Sequence, residues 1–314
     1  MDHPSFPSAF QCPLAVVACG VVAAFAALTP APAQAQLYDF NTPGQLVDDF
    51  TRVPDSGNTL YWTQQATGGL NNSGWIVTNT GSGSNARYSE ILDQGFAAGA
   101  TPFTLSLHFK WQPNTLFVGD LLEIGIGRST DPQAPFTPVS PGSGGPYPAA
   151  WQELQLGLGG VRDSANVGIP NTVRFYGSVL VDGVLTNFNP PSSGGPTATL
   201  VDGGWYFLKL DFAPTAAEDG YIVSLSLSQS SNTGVVSDDP LMTWTTTQIN
   251  PKLLEGDLQF YLTGRNAPWS GIVGIDNIHV SPIPEPSVAW LAGGALLALF
   301  ALQRRQTTNT GVNS

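Results

Sequence analysis

The chain has 314 residues, of which 11% are charged, and its 11 basic and 23 acidic residues give a net charge of −12. Its 42% of hydrophobic residues excludes a disordered chain, and the acidic balance without a basic cluster argues against a nucleic-acid partner. The 35 glycines and 26 prolines follow no collagen period and predict many turns.

Few residues are available for metal or thiol chemistry. Both cysteines, Cys12 and Cys19, lie in an apolar segment near the N-terminus, so the rest of the chain has no thiol. With three histidines in the sequence, an imidazole-based zinc site is not expected. We predict no cofactor. Calcium in a loop is left open, although acidic pairs such as Asp238 and Asp239 lack the spaced ligands that calcium needs.

Residues 1–35 have the features of a signal peptide. An uncharged run, residues 14–28, is followed by two prolines and by Ala33 and Ala35, the small residues that signal peptidase accepts. We predict cleavage after Ala35. The segment before the run has no Lys or Arg, and residues 16–19 loosely resemble a lipoprotein cleavage site, which is the alternative interpretation.

Residues 36–281 alternate apolar and polar side chains with a period of two, which predicts antiparallel strands. In residues 103–111, five apolar side chains face one way, whereas His108 and three other polar side chains face the other way. We expect His108 to be a surface histidine without a catalytic role. The pattern recurs in residues 122–126, 154–158, 206–212 and 221–227. So many strands predict an all-β, jelly-roll-like sandwich of two sheets, flanked by an N-terminal signal helix and a C-terminal hydrophobic helix.

The last predicted strand, residues 271–280, needs a β-bulge. Val273 and Ile275 share one phase of the alternation, whereas the two apolar residues that follow are displaced by one position. An extra residue at Asp276 and Asn277 would return all four apolar side chains to the core.

The strand number and long loops are similar to the concanavalin-like jelly roll of lectins and glucanases. In such glucanases, three alternating carboxylates lie on one strand, and Glu123 matches the first of them. Gly125 stands at the second position and the third acid is also missing, so this double-displacement mechanism is excluded. Glu153 is a candidate second carboxylate across the sheet. We interpret Glu123 and Glu153 as solvated strand residues and candidate glycan contacts, with no catalytic residue assigned.

Trp205 is the third candidate glycan contact. It is out of phase with Tyr206, Leu208 and Leu210, so on a regular strand it would face away from the core. An exposed indole can stack on the apolar face of a sugar ring. The alternative interpretation is packing beneath a loop.

The residues after the sandwich resemble a sorting tail. They comprise Pro284, Glu285, Pro286 and Ser287, the uncharged run 288–302, and then Arg304 and Arg305. This order resembles the PEP-CTERM tail of Gram-negative exopolysaccharide producers, which implies recognition by an exosortase. The run spans about 22 Å, less than the ~30 Å hydrocarbon core, and the arginine pair predicts a cytoplasmic end. We predict a sorting segment at 282–305 and a polar tail at 306–314. A plain membrane anchor is the alternative.

Together, the two ends predict export through the inner membrane to the cell surface or extracellular matrix. The resemblance implies the export machinery, an exosortase and, transiently, the inner membrane as partners. We expect a structural or glycan-binding component of the exopolysaccharide layer, and the incomplete catalytic clusters favour a protein that is not an enzyme. One alternative is a polysaccharide hydrolase or lyase that uses Glu123 and Glu153. Another is a protein–protein adhesion module in the same layer.

Overall fold

A computed structural model describes most of the region predicted to form the sandwich. The described residues are 35–52, 62–78, 85–91, 102–112, 120–128, 152–163, 165, 168–181, 184–188, 196–215, 220–246, 249, 259–265 and 272–282. All of them belong to one unit, Ala33–Ile283. The predicted signal peptide before Ala35 and the sorting motif from Pro284 onwards lie outside the described residues, so both stay predictions.

Within these ranges the chain forms strands almost throughout. The one α-helix described, α1 (Gln45–Asp49), is short, and a 3-10 turn lies at Leu70–Asn72. The strands are β1 (Gln36–Tyr38), β2 (Thr51–Arg52), β3 (Trp62–Gln65), β4 (Trp75–Thr78), β5 (Asn85–Ile91), β6 (Phe103–Gln112), β7 (Asp120–Arg128), β8 (Gln152–Arg162), β9 (Gly168–Val181), β10 (Val184–Phe188), β11 (Thr197–Thr199), β12 (Trp205–Pro214), β13 (Tyr221–Ser230), β14 (Val236–Thr245), β15 (Gln259–Arg265) and β16 (Ile272–Pro282).

The strands form two antiparallel sheets. The first sheet has the order β14-β13-β12-β6-β16-β4-β3, and β1 also pairs with β16. The second sheet has the order β10-β9-β8-β7-β15-β5-β2, and β11 also pairs with β9. The prediction of an all-β, two-sheet sandwich is confirmed.

The hydrophobic core lies between the two sheets. The alternating apolar residues of β6, β12 and β13 from the first sheet and of β7 and β8 from the second belong to one buried cluster. Phe103 and Phe212, on neighbouring strands, stack with their ring centres 4.4 Å apart. The polar residues between these apolar ones therefore lie on the two outer faces, where any surface site has to be found.

The bulge predicted in β16 is present. Asp276 pairs with His108 and His279 pairs with Ser106, so two residues of β16 oppose one residue of β6. The extra residue, Asn277, has a φ of 51°, and the four apolar side chains on either side of the bulge are fully buried. The bulge therefore keeps the apolar phase of the strand and leaves Asp276 on the outer face.

Asn277 should tolerate glycine but not a β-branched residue. Asn277→Val is expected to lower the free energy of unfolding by about 1–2 kcal/mol, because a β-carbon branch opposes a left-handed backbone conformation. Asn277→Gly should leave stability nearly unchanged, because glycine adopts positive φ freely. Urea unfolding of both variants checks this, and equal losses would contradict the left-handed bulge.

Two chain segments cover part of the outer face of the first sheet. One is the loop at residues 68–74, which contains the 3-10 turn, and the other is the β13–β14 turn at residues 231–235. The backbone N–H of Asn71 donates to the Asn232 carbonyl at 2.6 Å and joins the two segments. We call these two segments the cap.

Candidate functional site

Trp205 lies beneath the cap. It faces away from the main core as predicted, but it is only 3% exposed. With Leu70, Trp75 and Val77 it forms a separate apolar cluster, and its ring centre lies 5.9 Å from that of Trp75. The expectation of an exposed indole is therefore wrong. Packing beneath a loop, the alternative interpretation, is what the structure shows.

A lysine lies beside both indoles. Lys110 is the cross-strand neighbour of Trp205 on β6, and its Nζ lies 5.9 Å from the Trp205 ring centre and 6.0 Å from that of Trp75. A cation at this distance is attracted by the electron-rich faces of the rings. The indole pair therefore has a positive charge at its edge.

His108 is also covered by the cap, so the expectation of a surface histidine is wrong. It is 8% exposed, and its ring centre lies 4.8 Å from that of Phe207. Among the described residues, neither ring nitrogen has a hydrogen-bond partner of normal geometry. Burial lowers the pKa of His108, and the nearby Gly234 backbone only partly offsets this effect.

Asp276 fastens the cap to the sheet. Its carboxylate is fully buried and accepts hydrogen bonds from the Leu70 backbone N–H at 2.8 Å, the Ser73 hydroxyl at 2.8 Å and the Asn277 backbone N–H at 2.7 Å. Burial raises the pKa of Asp276, and these three hydrogen bonds act against the rise. The sequence placed Asp276 at the bulge but gave no sign of this contact, because Leu70 lies 206 positions away.

Glu123 and Glu153 lie on the other outer face of the molecule. They occupy outward positions of β7 and β8 in the second sheet, whereas Trp205 belongs to the first sheet. The three predicted glycan contacts therefore do not form one site. Glu123 pairs with Gly157, four positions along β8 from Glu153, which places the two Glu Cα atoms roughly 14 Å apart.

The outer face of β7 and β8 combines glycines with acidic and amide residues in a regular pattern. Each outward cross-strand pair joins one glycine to one such residue, namely Asp120 with Gly159, Glu123 with Gly157, Gly125 with Gln155, and Gly127 with Glu153. We call this set the glycine–polar face. Gly125, Gly157 and Gly159 are buried, so the backbone between the polar positions is covered. The sequence shows these alternate glycines, but there they serve only to exclude the second and third glucanase carboxylates.

An aromatic residue borders this face. Tyr176, on β9, pairs with Gly157, and a β-carbon at Gly157 would lie 2.6 Å from the Tyr176 hydroxyl oxygen. Ser178, also on β9, pairs with Gln155 on β8, and the Ser178 hydroxyl donates to Gln155 Oε1 at 3.1 Å. Gln155 is 2% exposed, so its amide is held in a fixed orientation. The middle of the face is therefore covered, with Gln155 bonded to Ser178 and the Tyr176 ring lying against Gly157.

The part of the chain that the structure describes contains no group of three or more His, Cys, Asp or Glu that could hold a metal ion. Calcium in a loop, which the sequence leaves open, is not tested by this structure. No described helix is long and apolar enough to cross a membrane. The predicted apolar runs at 14–28 and 288–302 lie outside the described residues.

The chain was compared with known proteins and solved structures. No protein-family model matches it, and no curated protein matches it. Among solved structures, a protein of unknown function from Shewanella oneidensis MR-1 is 15% identical, with 88% of this chain and 96% of that chain covered and a TM-score of 0.43. Lectin I-B4 from Griffonia simplicifolia is 10% identical, with 79% and 100% covered and a TM-score of 0.42. Peanut lectin is 12% identical, with 81% and 100% covered and a TM-score of 0.39.

All three identities are below 25% and all three TM-scores are below 0.5. Similarity at this level carries no argument about what this chain binds. The sandwich is established by the described strands themselves, and a function has to be argued from the residues on the outer faces.

Proposed function

We propose that the protein is an exported, glycan-binding component of an extracellular polysaccharide layer. The observation that carries this proposal is the glycine–polar face, where every outward pair of β7 and β8 sets a glycine against an acidic or amide residue. Carboxylates and amides match the vicinal hydroxyls of sugars as hydrogen-bond partners. The Tyr176 ring at the border supplies an apolar surface for stacking.

Binding without cleavage is favoured by the incomplete set of acids on β7. Gly125 stands where a concanavalin-like glucanase would have the second of its three alternating carboxylates, and the third acid is also missing.

Export is the second part of the proposal. It is supported by the leader-like segment before residue 36 and by the resemblance of the C-terminal residues to a PEP-CTERM tail. The described sandwich begins with β1 at Gln36 and ends with β16 at Pro282, next to the predicted cleavage site and the Pro284 motif respectively. In this proposal an exosortase recognises the tail during passage through the inner membrane. The sandwich then remains at the cell surface or in the matrix.

Titration with the producer's own exopolysaccharide tests the binding site. We expect Glu123→Gln and Glu153→Gln each to raise the dissociation constant roughly tenfold, because each removes a charged hydrogen-bond acceptor. Tyr176→Ala should weaken binding to a similar extent by removing the stacking surface. Asp48→Asn, on the exposed side of α1, removes the same charge elsewhere and should bind like the unaltered protein.

The same titration separates the alternatives. Shortening of the polymer that is abolished in Glu123→Gln would establish a hydrolase or lyase and overturn the binding role. Absence of binding, with and without calcium, would shift the proposal to protein–protein adhesion or a structural role. Unchanged affinity in all three face variants would place the glycan site elsewhere on the molecule.

A further inference from the structure

The cap covers a titratable ring while carrying no titratable side chain of its own. Residues 68–74 and 231–235 consist only of glycine, leucine, asparagine, serine, threonine and valine. Beneath them lies His108, nine-tenths buried, with no hydrogen-bond partner of normal geometry among the described residues. A proton added to this ring therefore meets no acceptor from the cap except the Gly234 backbone nearby.

Among the described residues, no charged group forms a hydrogen bond with the His108 ring in the closed arrangement. Lys110 is two residues along β6, and Lys209 is diagonal to His108 on β12, so both nearest cations oppose it. Asp276 is directly across on β16 and would attract an imidazolium, but its hydrogen bonds go to Leu70, Ser73 and Asn277 and none goes to His108. The other charged or titratable residues near this group are Asp211 on β12, His279 on β16, and Asp39, which lies close to Asp276.

The attachment of the cap is small enough to be reversible. Its described polar links to the rest of the chain are the bonds from Leu70 and Ser73 to Asp276 and the bond from the Gly74 backbone N–H to Asn41 Oδ1, while the bond from Asn71 to Asn232 joins the two segments of the cap. The loop begins at Gly68, whose φ of 110° is a backbone conformation that favours glycine. Beneath the loop are the side chains of Trp75 and Trp205, so lifting it would uncover an indole pair beside Lys110.

We propose that protonation of His108 opens the cap and uncovers Trp75 and Trp205. The imidazolium is hydrated once the 231–235 turn lifts, whereas in the closed arrangement it is dry and has only the Gly234 backbone as a nearby acceptor. The closed arrangement is fully favoured above the ordinary pKa of histidine, and opening increases as the pH falls below that value. This inference concerns the first sheet and does not depend on glycan binding by the second sheet.

Titration of Asp276 makes cap opening depend on pH with the opposite sign. This difference in sign makes the test specific for His108. The pKa of Asp276 is raised in the closed arrangement, so a fall in pH through that pKa favours closure. A variant without His108 therefore keeps only the contribution that holds the cap shut in acid. The sign of the pH dependence should reverse or vanish when His108 is replaced.

Hydrogen exchange of the full chain between pH 7.5 and 5.5 measures the opening. After correction for intrinsic exchange rates, we expect protection of the Leu70 and Asn71 amides to fall with decreasing pH, by at most about tenfold per pH unit for one proton. Protection of β12 and β13 should stay constant. In His108→Gln the fall should disappear, and His108→Leu serves the same purpose if the glutamine variant does not fold.

His279→Gln is the matched control, because it removes a half-buried histidine from the same outer face but not from beneath the cap. It should keep the full pH dependence. Constant protection of the cap across this pH range in the unaltered protein would overturn the proposal. So would a pH dependence that survives unchanged in both His108 variants.

Discussion

Gly274→Ala is expected to lower the free energy of unfolding by about 3 kcal/mol, because the outer face has no room for a side chain there. Gly274, on β16, pairs with Lys110 on β6, and a β-carbon at Gly274 would overlap the Trp75 ring. The ring cannot simply tilt away, because it packs on Trp205 and lies against Gly68 on the cap side. The indole pair and the cap should therefore be displaced together. Urea unfolding of the full chain measures the loss.

A double-mutant cycle isolates the cause of that loss. In a Trp75→Ala background the ring is gone, so Gly274→Ala should then cost less than about 1 kcal/mol. The coupling between the two positions should thus be about 2 kcal/mol. Additive losses would mean that Gly274 matters for its backbone conformation and not for the space it leaves to Trp75.

Asp276→Ala is expected to cost about 3 kcal/mol of stability as well. The substitution removes the acceptor of three donors at once, the Leu70 and Asn277 backbone N–H groups and the Ser73 hydroxyl. Donors left without a partner in a buried place lose their hydration without replacement. Asp211→Ala, a partly exposed carboxylate on the same face, is the control and should cost much less. Equal losses in the two variants would contradict the anchoring role of Asp276.

The pH dependence of the stability difference between the unaltered protein and Asp276→Asn is a second test of the contacts made by the Asp276 carboxyl group. Burial raises the folded-state pKa of Asp276 above 3.8, so its contribution to stability is fully present below that value and is lost as the pH rises through the folded-state pKa. The unaltered protein should therefore exceed Asp276→Asn in stability by more at pH 3 than at pH 7. Urea midpoints of both proteins over this range check it, and a difference that grows with pH would be the contrary result.

Alternation along single strands was enough to predict the architecture. The period of two in residues 103–111 assigned five side chains to the core, and they are all buried there. The displaced phase after Ile275 located the bulge at Asp276 and Asn277, because only an added residue returns both halves of the strand to one face. These inferences are local, and the information they need lies within ten residues.

Burial on the outer faces could not be predicted in this way. The phase of Trp205 gave the correct side of the sheet, but its cover comes from Leu70, 135 positions earlier in the chain. His108 was likewise placed on the correct face, and the turn at Gly234 that covers it is equally remote in sequence. Alternation fixes which way a side chain points, and it contains nothing about which loop comes to lie above it.

The candidate site was predicted in part. Glu123 and Glu153 were selected for their acids and do lie on one face, but nothing in the sequence gave the register that separates them by four positions. Trp205 could not be assigned to the opposite sheet, because strand order follows from pairing over long distances. Glycine at alternate positions of both β7 and β8 is visible in the sequence. Only the register shows that each of these glycines pairs with a polar residue of the neighbouring strand.

The position of β16 has a mechanical consequence. This strand is an interior member of the first sheet, bonded to β6 along most of its length and to β4 and β1 on its other side. A pull applied at Pro282 acts along the strand, so it loads many of these hydrogen bonds in shear at the same moment instead of opening them one by one. A force applied at this end would therefore strain several inter-strand hydrogen bonds together.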